Sequence, residues 1–353
     1  MKEPSRKSLL ATIAVLAVLP LILSACSSGA SKSSSSGGGT SAAGAGGGGS
    51  GLADGFGKRN ASRTVTFITF YDPSSDAFWN QMLSGAKDAA ALGNLKLNAQ
   101  TAGSDVTKMT DLVTAAIATK PAALYIPFND PAWENAACDA QKAGIPVFAF
   151  NVPPAAAAKI CVMAFVGQDF TQVGQTVGQR LLKDVPSLKA GDKVLCPAEE
   201  PTQQYAIQRG GGVNQALAAK GLKCTFLRTG GDDGPALDAL TTWLTANPDV
   251  KAVVPLGGTP HRNLVKAEDA ASVKAPIVGF DTSPQVIQGI KSGRILATAD
   301  QQGYVQGFQT VLQSVLYLDF AISPANINSG GNGLIDKSNV GNLEASDLKG
   351  VRY

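Results

Sequence analysis

From residue 64 onward, short apolar runs rich in β-branched and aromatic residues alternate with amphipathic stretches of helical period. The first run, TVTFITF, is followed by DAFWNQMLSGAKDAAALG, in which apolar side chains recur every three or four positions. Such spacing forms one face of a helix, whereas short apolar runs bounded by turn residues are typical of buried strands. The strand-like runs lie at 64–70, 95–102, 122–128, 145–151, 162–167, 193–198, 224–230, 252–257, 276–281 and 295–300.

This alternation of strands and helices is typical of βαβ units and of a parallel sheet. The ten runs and the 290 residues from position 64 to 353 exceed what one core usually holds. We therefore predict an α/β protein with two doubly wound parallel-sheet lobes.

Polar side chains follow most of the predicted strands. In IVGFDTSPQ, for example, an apolar run leads directly into Asp281. A buried carboxylate is costly unless a partner meets it, and parallel sheets bind ligands outside the carboxyl ends of their strands. Carboxylates and amides that converge there, with aromatic rings nearby, suit a polyhydroxylated ligand. Eight strand ends carry such groups: Asp72, Asn129 and Asp130, Asn151, Gln168 and Asp169, Glu199 and Glu200, Asp232 and Asp233, Asp281, and Asp300 to Gln302.

Helix capping is the alternative role for these residues, because Asp and Asn are favoured at helix N-caps. It applies best to Asp72, Asp130 and Asp233. It accounts for Asp281 less well, since Thr282 and Ser283 follow it and are themselves suited to cap the next helix.

The N-terminus has the layout of a secretory signal: basic residues precede an apolar run from Leu9 to Leu23, which is short for a lasting membrane span. Leu23, Ser24, Ala25 and Cys26 resemble the lipobox of bacterial lipoproteins, which implies cleavage before Cys26 and a diacylglycerol on its thiol. An ordinary signal peptide with a chance cysteine is the alternative. We predict a signal peptide at 1–25 and a flexible Ser/Gly-rich tether at 26–61, on the outer face of the cell membrane.

Charge and cysteine content limit the classes of function that the chain can have. Loss of residues 1–25 removes three basic groups and one acid, so the formal charge falls from +3 to +1, and no Lys/Arg cluster indicates nucleic-acid binding. Four further cysteines in an exported chain favour two disulfides. We expect Cys138 with Cys161 and Cys196 with Cys224, because each pair is close in sequence and the second joins two predicted neighbouring strands; four free thiols are the alternative.

Over about residues 64–335 the chain resembles the sugar-binding, type I periplasmic binding proteins of ABC importers. The resemblance lies in the order and spacing of several segments, each of them weak alone: DAFWNQMLSGAKDAAALG, KAGIPVFAFN, VGQDFTQVGQTVGQRL, QRGGGVNQAL, NPDVKAVV and PIVGFDTSPQVIQGIKSGRILATADQQGYVQG.

The resemblance implies a set of ligand-binding residues. Phe78 and Trp79 match the aromatic pair that packs on the sugar ring, and Asn151 matches the polar residue that ends the fourth strand. Arg209 matches an arginine that reaches the ligand, with a surface helix charge as its alternative. Asp281 and Gln301 match the acid of the GFD segment and the glutamine at the return to the first lobe. To these we add Asp232 from its strand end.

The resemblance also implies a three-segment hinge. It places the N-terminal lobe at 62–167 plus 302–327 and the other lobe at 168–301 plus 328–353. Asn151 and Val152 stand where ribose-binding proteins have Asp-Arg, so ribose is not the expected ligand. Cys138, Cys161 and the tail NGLIDKSNVGNL also resemble the branch that includes the autoinducer-2 receptor.

We therefore expect a monomeric lipoprotein that captures a sugar or polyol and delivers it to an ABC permease, without a cofactor, a metal or an enzymatic reaction. A receptor that signals to a membrane partner without import is the alternative. His261 is the only histidine, which excludes a histidine-based metal cluster, and no GxSxG or P-loop motif is present. We expect His261 at the surface or rim; contact with the ligand is the alternative.

Overall fold

A computed structural model describes residues 55–59, 63–155, 159–330, 333–343 and 351. The predicted signal peptide and Cys26 lie outside these residues, as does most of the predicted tether. In chain order the elements are β1 (Thr64–Thr69), α1 (Ala77–Leu92), β2 (Lys96–Thr101), α2 (Val106–Thr119), β3 (Leu124–Ile126), α3 (Glu134–Lys142), β4 (Val147–Phe150), β5 (Phe165–Gly167), α4 (Phe170–Asp184), β6 (Val194–Ala198), α5 (Gln204–Leu217), β7 (Cys224–Arg228), α6 (Asp233–Ala246), β8 (Ala252–Val253), α7 (Gly258–Ala271), β9 (Val278–Phe280), α8 (Pro284–Lys291), β10 (Ala297–Ala299), α9 (Gly303–Phe320), β11 (Ile327–Asn328) and β12 (Leu334–Asp336).

The first lobe is built on a parallel sheet with the strand order β11-β5-β4-β3-β1-β2. The strands β3, β4 and β5 are short and apolar, as expected when helices cover both faces, whereas the edge strand β2 is largely polar and partly exposed. Helices α1 and α9 pack against each other, as do α2 and α3. The core includes the stacked rings of Phe67 and Phe150, whose centroids are 4.4 Å apart, and Val311 and Val315 from α9.

The second lobe continues the same architecture. β7, β6 and β8 form one parallel group, and β9 and β10 form another that ends in the antiparallel strand β12. A parallel bridge between Val253 and Ile277 joins the two groups. Side chains on opposite faces of β6 enter different cores: Val194 and Cys196 pack in a cluster with residues of α4 and α5, and Leu195 packs with residues of α6, α7 and α8. The predicted α/β fold with parallel sheets is therefore confirmed.

Glycines allow the main helix pairs to approach closely in both lobes. A Cβ atom on Gly307 of α9 would lie 1.8 Å from the carbonyl oxygen of Met82 on α1. The same arrangement occurs between α4 and α5, where a Cβ on Gly212 would lie 2.2 Å from the carbonyl oxygen of Thr171. Only a residue without a side chain fits such a backbone contact.

The chain passes between the two sheets three times: after Gly167, after Ala299, and between Asn328 and Leu334. At each passage the strands present their carboxyl ends or the residues just beyond them toward the other lobe. The functional groups that follow the strands are therefore brought to one region.

The tether was predicted to reach residue 61, but residues 55–59 are part of the folded body. The N–H of Gly57 donates to Asp319 Oδ2 at 2.8 Å, and Arg59 Nη1 donates to the Asp319 carbonyl oxygen at 2.9 Å. Phe56 packs against the first-lobe core. The amino-acid composition did not predict that residues 55–59 would be folded, because one aromatic residue and one arginine are enough to dock a turn that is otherwise rich in glycine.

Strand ends also differ from the prediction. The run at 252–257 forms a strand only over Ala252–Val253, because Pro255 has no N–H to donate to a ladder. β11 and β12 were not predicted, since each holds only two or three residues. None of the helices in the described ranges is both long and apolar enough to cross a membrane.

Candidate functional site

A cavity of about 260 Å³ lies where the carboxyl ends of strands from both sheets meet. We call it the central cavity. Residues that follow β1, β4, β6, β9 and β10 line it, together with the first turns of α1, α4, α5 and α7. Of the seven predicted ligand-binding residues it contains six: Phe78, Trp79, Asn151, Arg209, Asp281 and Gln301.

Asp281 follows β9 directly and has a left-handed backbone conformation, with φ 70°. Its N–H donates to the Ala299 carbonyl at 2.8 Å, and its carbonyl accepts from Thr298 Oγ1 at 2.6 Å. A non-glycine residue with positive φ is strained, and these two bonds to β10 hold it in place. The carboxylate is 9% exposed and lines the cavity.

Gln301 connects Asp281 to the other lobe. Its Nε2 donates to Asp281 Oδ1, while its Oε1 accepts from Asn151 Nδ2 at 3.3 Å. Asn151 also donates to Gln306 Oε1 at 3.3 Å, and Gln306 Nε2 in turn donates to the Gln301 carbonyl at 3.0 Å. A continuous hydrogen-bonded chain therefore runs from the end of β4 in the first lobe to the end of β9 in the second.

Arg209 lies in the second turn of α5 and is 2% exposed. Its Nη1 donates to the Leu256 carbonyl at 2.6 Å and lies 3.5 Å from Asp281 Oδ2. The guanidinium lies over the rings of Phe170 and Phe280, at 4.7 Å and 4.6 Å from their centroids. These contacts fix the planar group beside Asp281, so that a donor and an acceptor face the cavity together.

Aromatic rings of the first lobe line the opposite side. Asp76 is the N-cap of α1 and accepts from the Trp79 N–H at 3.1 Å, so the first helical turn carries Phe78 and Trp79 to the cavity. The Trp79 ring packs 5.7 Å from Tyr71, centroid to centroid. Burial raises the pKa of the Asp76 carboxyl. Ring faces held in this way cover the C–H patches of a ligand.

Glu199 is a second acid in the cavity lining and is half-buried. Its Oε2 accepts from the Tyr205 hydroxyl at 2.5 Å, and its Oε1 accepts from the Thr259 N–H at 2.8 Å. Burial raises the pKa of its carboxyl. A Cβ on Gly257 would lie 1.9 Å from Glu199 Oε2, so glycine at position 257 leaves the space that this carboxyl occupies.

Arg262 of α7 forms the second contact between the lobes. Its Nε donates to Asp233 Oδ1 at 2.6 Å, and its Nη1 lies 3.9 Å from Asp76 Oδ2 in the first lobe. The side chain is 18% exposed, so the pair with Asp76 closes part of the cavity against solvent.

Asp232, the seventh predicted residue, does not line the central cavity. It lines an adjoining space of about 610 Å³, which we call the outer cavity and which also borders Asp72, Asn129, Glu200 and Arg228. The neighbouring Asp233 lines the central cavity, where Asp232 was predicted to lie. A helix start allows either of two successive acids to point inward, and sequence spacing does not distinguish them.

The capping alternative holds for one of the three acids to which it was applied. Asp130 Oδ1 accepts from the Ala132 N–H at 2.9 Å and caps the 3-10 helix Pro131–Trp133. Asp72 binds the Ser74 N–H in a turn, and Asp233 binds Arg262 and Asn263 instead of a backbone N–H. As expected, the helix after Asp281 is capped by another residue, Ser283.

His261 is not at the surface or rim, as was expected, but is 1% exposed. Its Nδ1 lies 2.7 Å from the Phe280 carbonyl oxygen, which identifies this nitrogen as the protonated donor of a neutral ring. Burial lowers the pKa of His261 to about 4. Gly279 makes this possible, because a Cβ there would lie 2.9 Å from the imidazole.

Both expected disulfides are present in the structure. Cys138 on α3 is joined to Cys161, with Cα atoms 4.8 Å apart, and Cys196 on β6 is joined to Cys224 on β7, with Cα atoms 5.4 Å apart. The second bridge links neighbouring parallel strands, as the sequence suggested.

Sequence reasoning left several cavity residues out of its ligand-binding set: Asp76, Phe170, Glu199, Tyr205, Thr259 and Arg262. Glu199 carried a usable signal, because it directly follows a strand. The others lie in the first turns of helices or beside them, where a polar residue can equally serve capping or solvation.

Two α/β lobes that enclose a polar and aromatic cavity at their facing strand ends define a two-lobed solute-binding protein. Consistent with this class, residues 67–321 match the family described as a periplasmic binding protein domain. The chain belongs to this family, whose members bind solutes outside the cytoplasm, and it is a binding protein of transport systems, not an enzyme.

Named relatives and solved structures agree with this assignment. The chain is 29% identical over 285 residues to the xylose/arabinose-binding protein XylF of Sulfolobus acidocaldarius, covering 72% of this chain and 67% of that protein. It is 32% identical over 167 residues to the D-ribose/D-allose-binding protein of Pseudomonas aeruginosa, covering 46% of this chain and 51% of that protein. A carbohydrate transporter of Acidothermus cellulolyticus 11B, solved with myo-inositol, superposes with a TM-score of 0.73 at 29% identity, covering 82% of this chain and 99% of that one.

Proposed function

We propose that this protein captures one sugar or sugar-like polyol in the central cavity and delivers it to the permease of an ABC importer. The observation that carries the proposal is the hydrogen-bonded chain Asn151–Gln301–Asp281, which ends beside the Arg209 guanidinium and faces aromatic rings. Carboxylate oxygens accept from hydroxyl groups, and a guanidinium donates to them.

The size and lining of the cavity favour a small, neutral, hydroxyl-rich ligand. Its volume of about 260 Å³ is near the lower end of the range for small-molecule sites, roughly 300 to 1,000 Å³. A single ring fits this space. The acids of the lining, Asp76, Glu199, Asp233 and Asp281, outnumber its two arginines, which disfavours a phosphorylated sugar.

We propose that closure of two lobes, 62–167 plus 302–327 and 168–301 plus 328–353, buries the ligand. The three passages between the sheets support this division, although β11 extends the first sheet to Asn328. The approach of Arg262 to Asp76 across the cavity, at 3.9 Å, is the kind of contact that such closure would bring together. A monomer whose lobes close in this way presents its permease with a ligand-dependent surface.

We propose further that Cys26 carries a lipid that holds the protein at the outer face of the membrane. The support is the lipobox-like segment Leu23–Cys26 and the tether that follows it. Expression in bacteria fed radiolabelled palmitate is expected to label the wild-type protein and not Cys26→Ala. Equal labelling of the two would overturn the proposal. Cys26→Ser is the control: it is expected to be exported without the label, which separates loss of the lipid from loss of export.

A calorimetric panel with the purified full chain tests the binding function. The probes are D-xylose, L-arabinose, D-ribose, D-allose and myo-inositol, chosen from the ligands in the names of the relatives and neighbours. We expect tight binding of at least one probe, weaker binding of that probe by Asp281→Ala, and no change in Asp238→Ala, which alters an exposed acid of α6. Binding by Asp281→Ala with wild-type affinity would contradict the proposed site.

A further inference from the structure

The outer cavity adjoins the central cavity and shares part of its lining. Tyr71, Asp76, Asn129, Glu199 and Asp233 border both. The outer cavity, at about 610 Å³, is the larger of the two. A ring bound in the central cavity therefore has room beside it for a second unit of similar size.

Asn129 marks the junction between the two cavities. It follows β3, is 3% exposed and lines both spaces, and its Oδ1 is buried without a hydrogen-bond partner in the described part of the chain. A buried acceptor left without a donor is unfavourable. The position of Asn129 therefore calls for a ligand that brings an O–H or N–H group to the junction.

Asp232 supplies a second acceptor, this time in the outer cavity alone. It is the N-cap residue of α6, yet its side chain makes no capping hydrogen bond. Its carboxylate is therefore available to a ligand. By contrast, the equivalent Asp76, Asp105 and Asp169 each accept a backbone N–H of their own helix.

The charges of the outer cavity select against an anionic second unit. Seven carboxylates border it against two guanidinium groups. Arg228 is already paired with Glu200 at 2.6 Å, and Arg262 with Asp233 at 2.6 Å. Each arginine therefore already has a carboxylate partner, and the lining keeps an excess of negative charge that repels a ligand carboxylate or phosphate.

We propose that the protein takes a two-unit glycoside, with one ring in the central cavity and a second, uncharged sugar or polyol unit in the outer cavity. Hydroxyl groups of the second unit donate to Asn129 Oδ1 and to the Asp232 carboxylate. The inference rests on the proposed function, because the first ring occupies the sugar site described above.

Matched pairs of probes test this by calorimetry on the purified full chain. The pairs are D-xylose with xylobiose, and myo-inositol with galactosyl-myo-inositol. In at least one pair the two-unit probe is expected to bind about tenfold more tightly than its one-unit partner, and an aldobiouronic acid, whose second unit carries a carboxylate, is expected to lose that advantage.

Two variants locate the effect in the outer cavity. Asp232→Ala and Asn129→Ala are each expected to lower the ratio of two-unit to one-unit affinity several-fold, by about the strength of one hydrogen bond to a buried or charged group. Asp238→Ala, which removes an exposed acid from the same helix, is expected to leave that ratio at the wild-type value.

Each outcome is informative. If one-unit probes bind and no two-unit probe binds more tightly, the inference is wrong and the proposed function stands. If two-unit probes bind more tightly but neither variant lowers the ratio, the second unit is not in the outer cavity and the inference is again wrong. If no probe binds at all, the proposed function itself fails, and this inference fails with it.

Discussion

Gln301 and Asp281 are hydrogen-bonded across the point where the chain returns from the second lobe to the first. Because Gln301 also accepts from Asn151, the acid at the end of β9 is tied to the end of β4 through a single amide. The bond orients one oxygen of Asp281 and leaves the other beside Arg209. The same side chains thus connect the lobes and line the cavity.

The first prediction concerns Asp281. Asp281→Ala is expected to weaken binding of the cognate sugar about 10- to 100-fold, because a hydroxyl group of the sugar and the Gln301 and Arg209 side chains all lose the carboxylate that accepts their hydrogen bonds. Calorimetry measures the affinity. The more conservative Asp281→Asn keeps one acceptor oxygen and is expected to bind with an affinity between those of the wild type and Asp281→Ala. An Asn variant that binds more weakly than the Ala variant would contradict this account.

Arg209→Ala is expected to lower both affinity and stability. Its guanidinium satisfies the Leu256 carbonyl and fills the space between Phe170 and Phe280, so truncation leaves a buried acceptor and a void. We expect a loss of roughly 3 kcal/mol in the free energy of unfolding, as for other broken buried pairs. Urea denaturation checks this, and an unchanged midpoint would show that Arg209 serves the ligand alone.

Two adjacent glycines of α5 are expected to respond oppositely to alanine. Gly212→Ala places a methyl group against the backbone of α4 and is expected to destabilise the protein by about 1 to 3 kcal/mol. A Cβ on Gly211 meets nothing within 4 Å, so Gly211→Ala is expected to stabilise the helix by up to about 1 kcal/mol. Thermal melts of the two variants compare them directly; equal shifts would refute the close helix contact.

His261 is expected to make stability depend on pH. Its pKa is lowered to about 4 in the folded protein, against 6.5 as the ordinary value, so the unfolded chain binds a proton that the folded protein does not. Stability therefore falls as pH falls from about 6.5 towards 4, by up to roughly 3 kcal/mol from this group.

The measurement is a comparison of urea midpoints at pH 7 and pH 5 for the wild type and His261→Asn. Asparagine can still donate to the Phe280 carbonyl but does not titrate. The wild type is expected to lose more stability than the variant over this interval, and parallel losses would assign the pH dependence to other groups.

The disulfides are expected to contribute substantially to stability. Cys196 and Cys224 are 28 positions apart in sequence, and Cys138 and Cys161 are 23 positions apart. Loops of this length correspond to roughly 3 to 4 kcal/mol each in the chain-entropy account. Replacing either pair by alanine is expected to lower the melting temperature. In a Cys26→Ser background, thiol titration of the unfolded, unreduced protein is expected to detect no free cysteine; four reactive thiols would contradict both bridges.

Much of the fold was predictable because its signals are local. Each of the ten strand-like runs contains a strand, and each is followed by turn residues at one edge of its sheet. Asp281 and Asn151 were predictable for the same reason, since a polar group directly after a buried strand is costly unless it meets a partner. Gln301 also follows a predicted strand, whereas Arg209 needed the family resemblance.

The features that the sequence did not predict depend on contacts between segments that are distant along the chain. Whether Asp232 or Asp233 turns inward depends on where Arg262 lies, and Arg262 is distant from both in sequence. His261 is buried because α7 packs over Gly279, a relationship between two segments that no local pattern records. The docked turn at 55–59 depends on Asp319, at the far end of the chain.

That turn decides which half of the molecule an anchor would hold. Gly57 and Arg59 are hydrogen-bonded to Asp319 in the last turn of α9, so an anchor on the polypeptide before them would hold the first lobe. If the lobes close as proposed, the second lobe is then the one that moves. Under the proposed lipid attachment, ligand capture would move that lobe relative to the bilayer, and a partner in the membrane would sense its position.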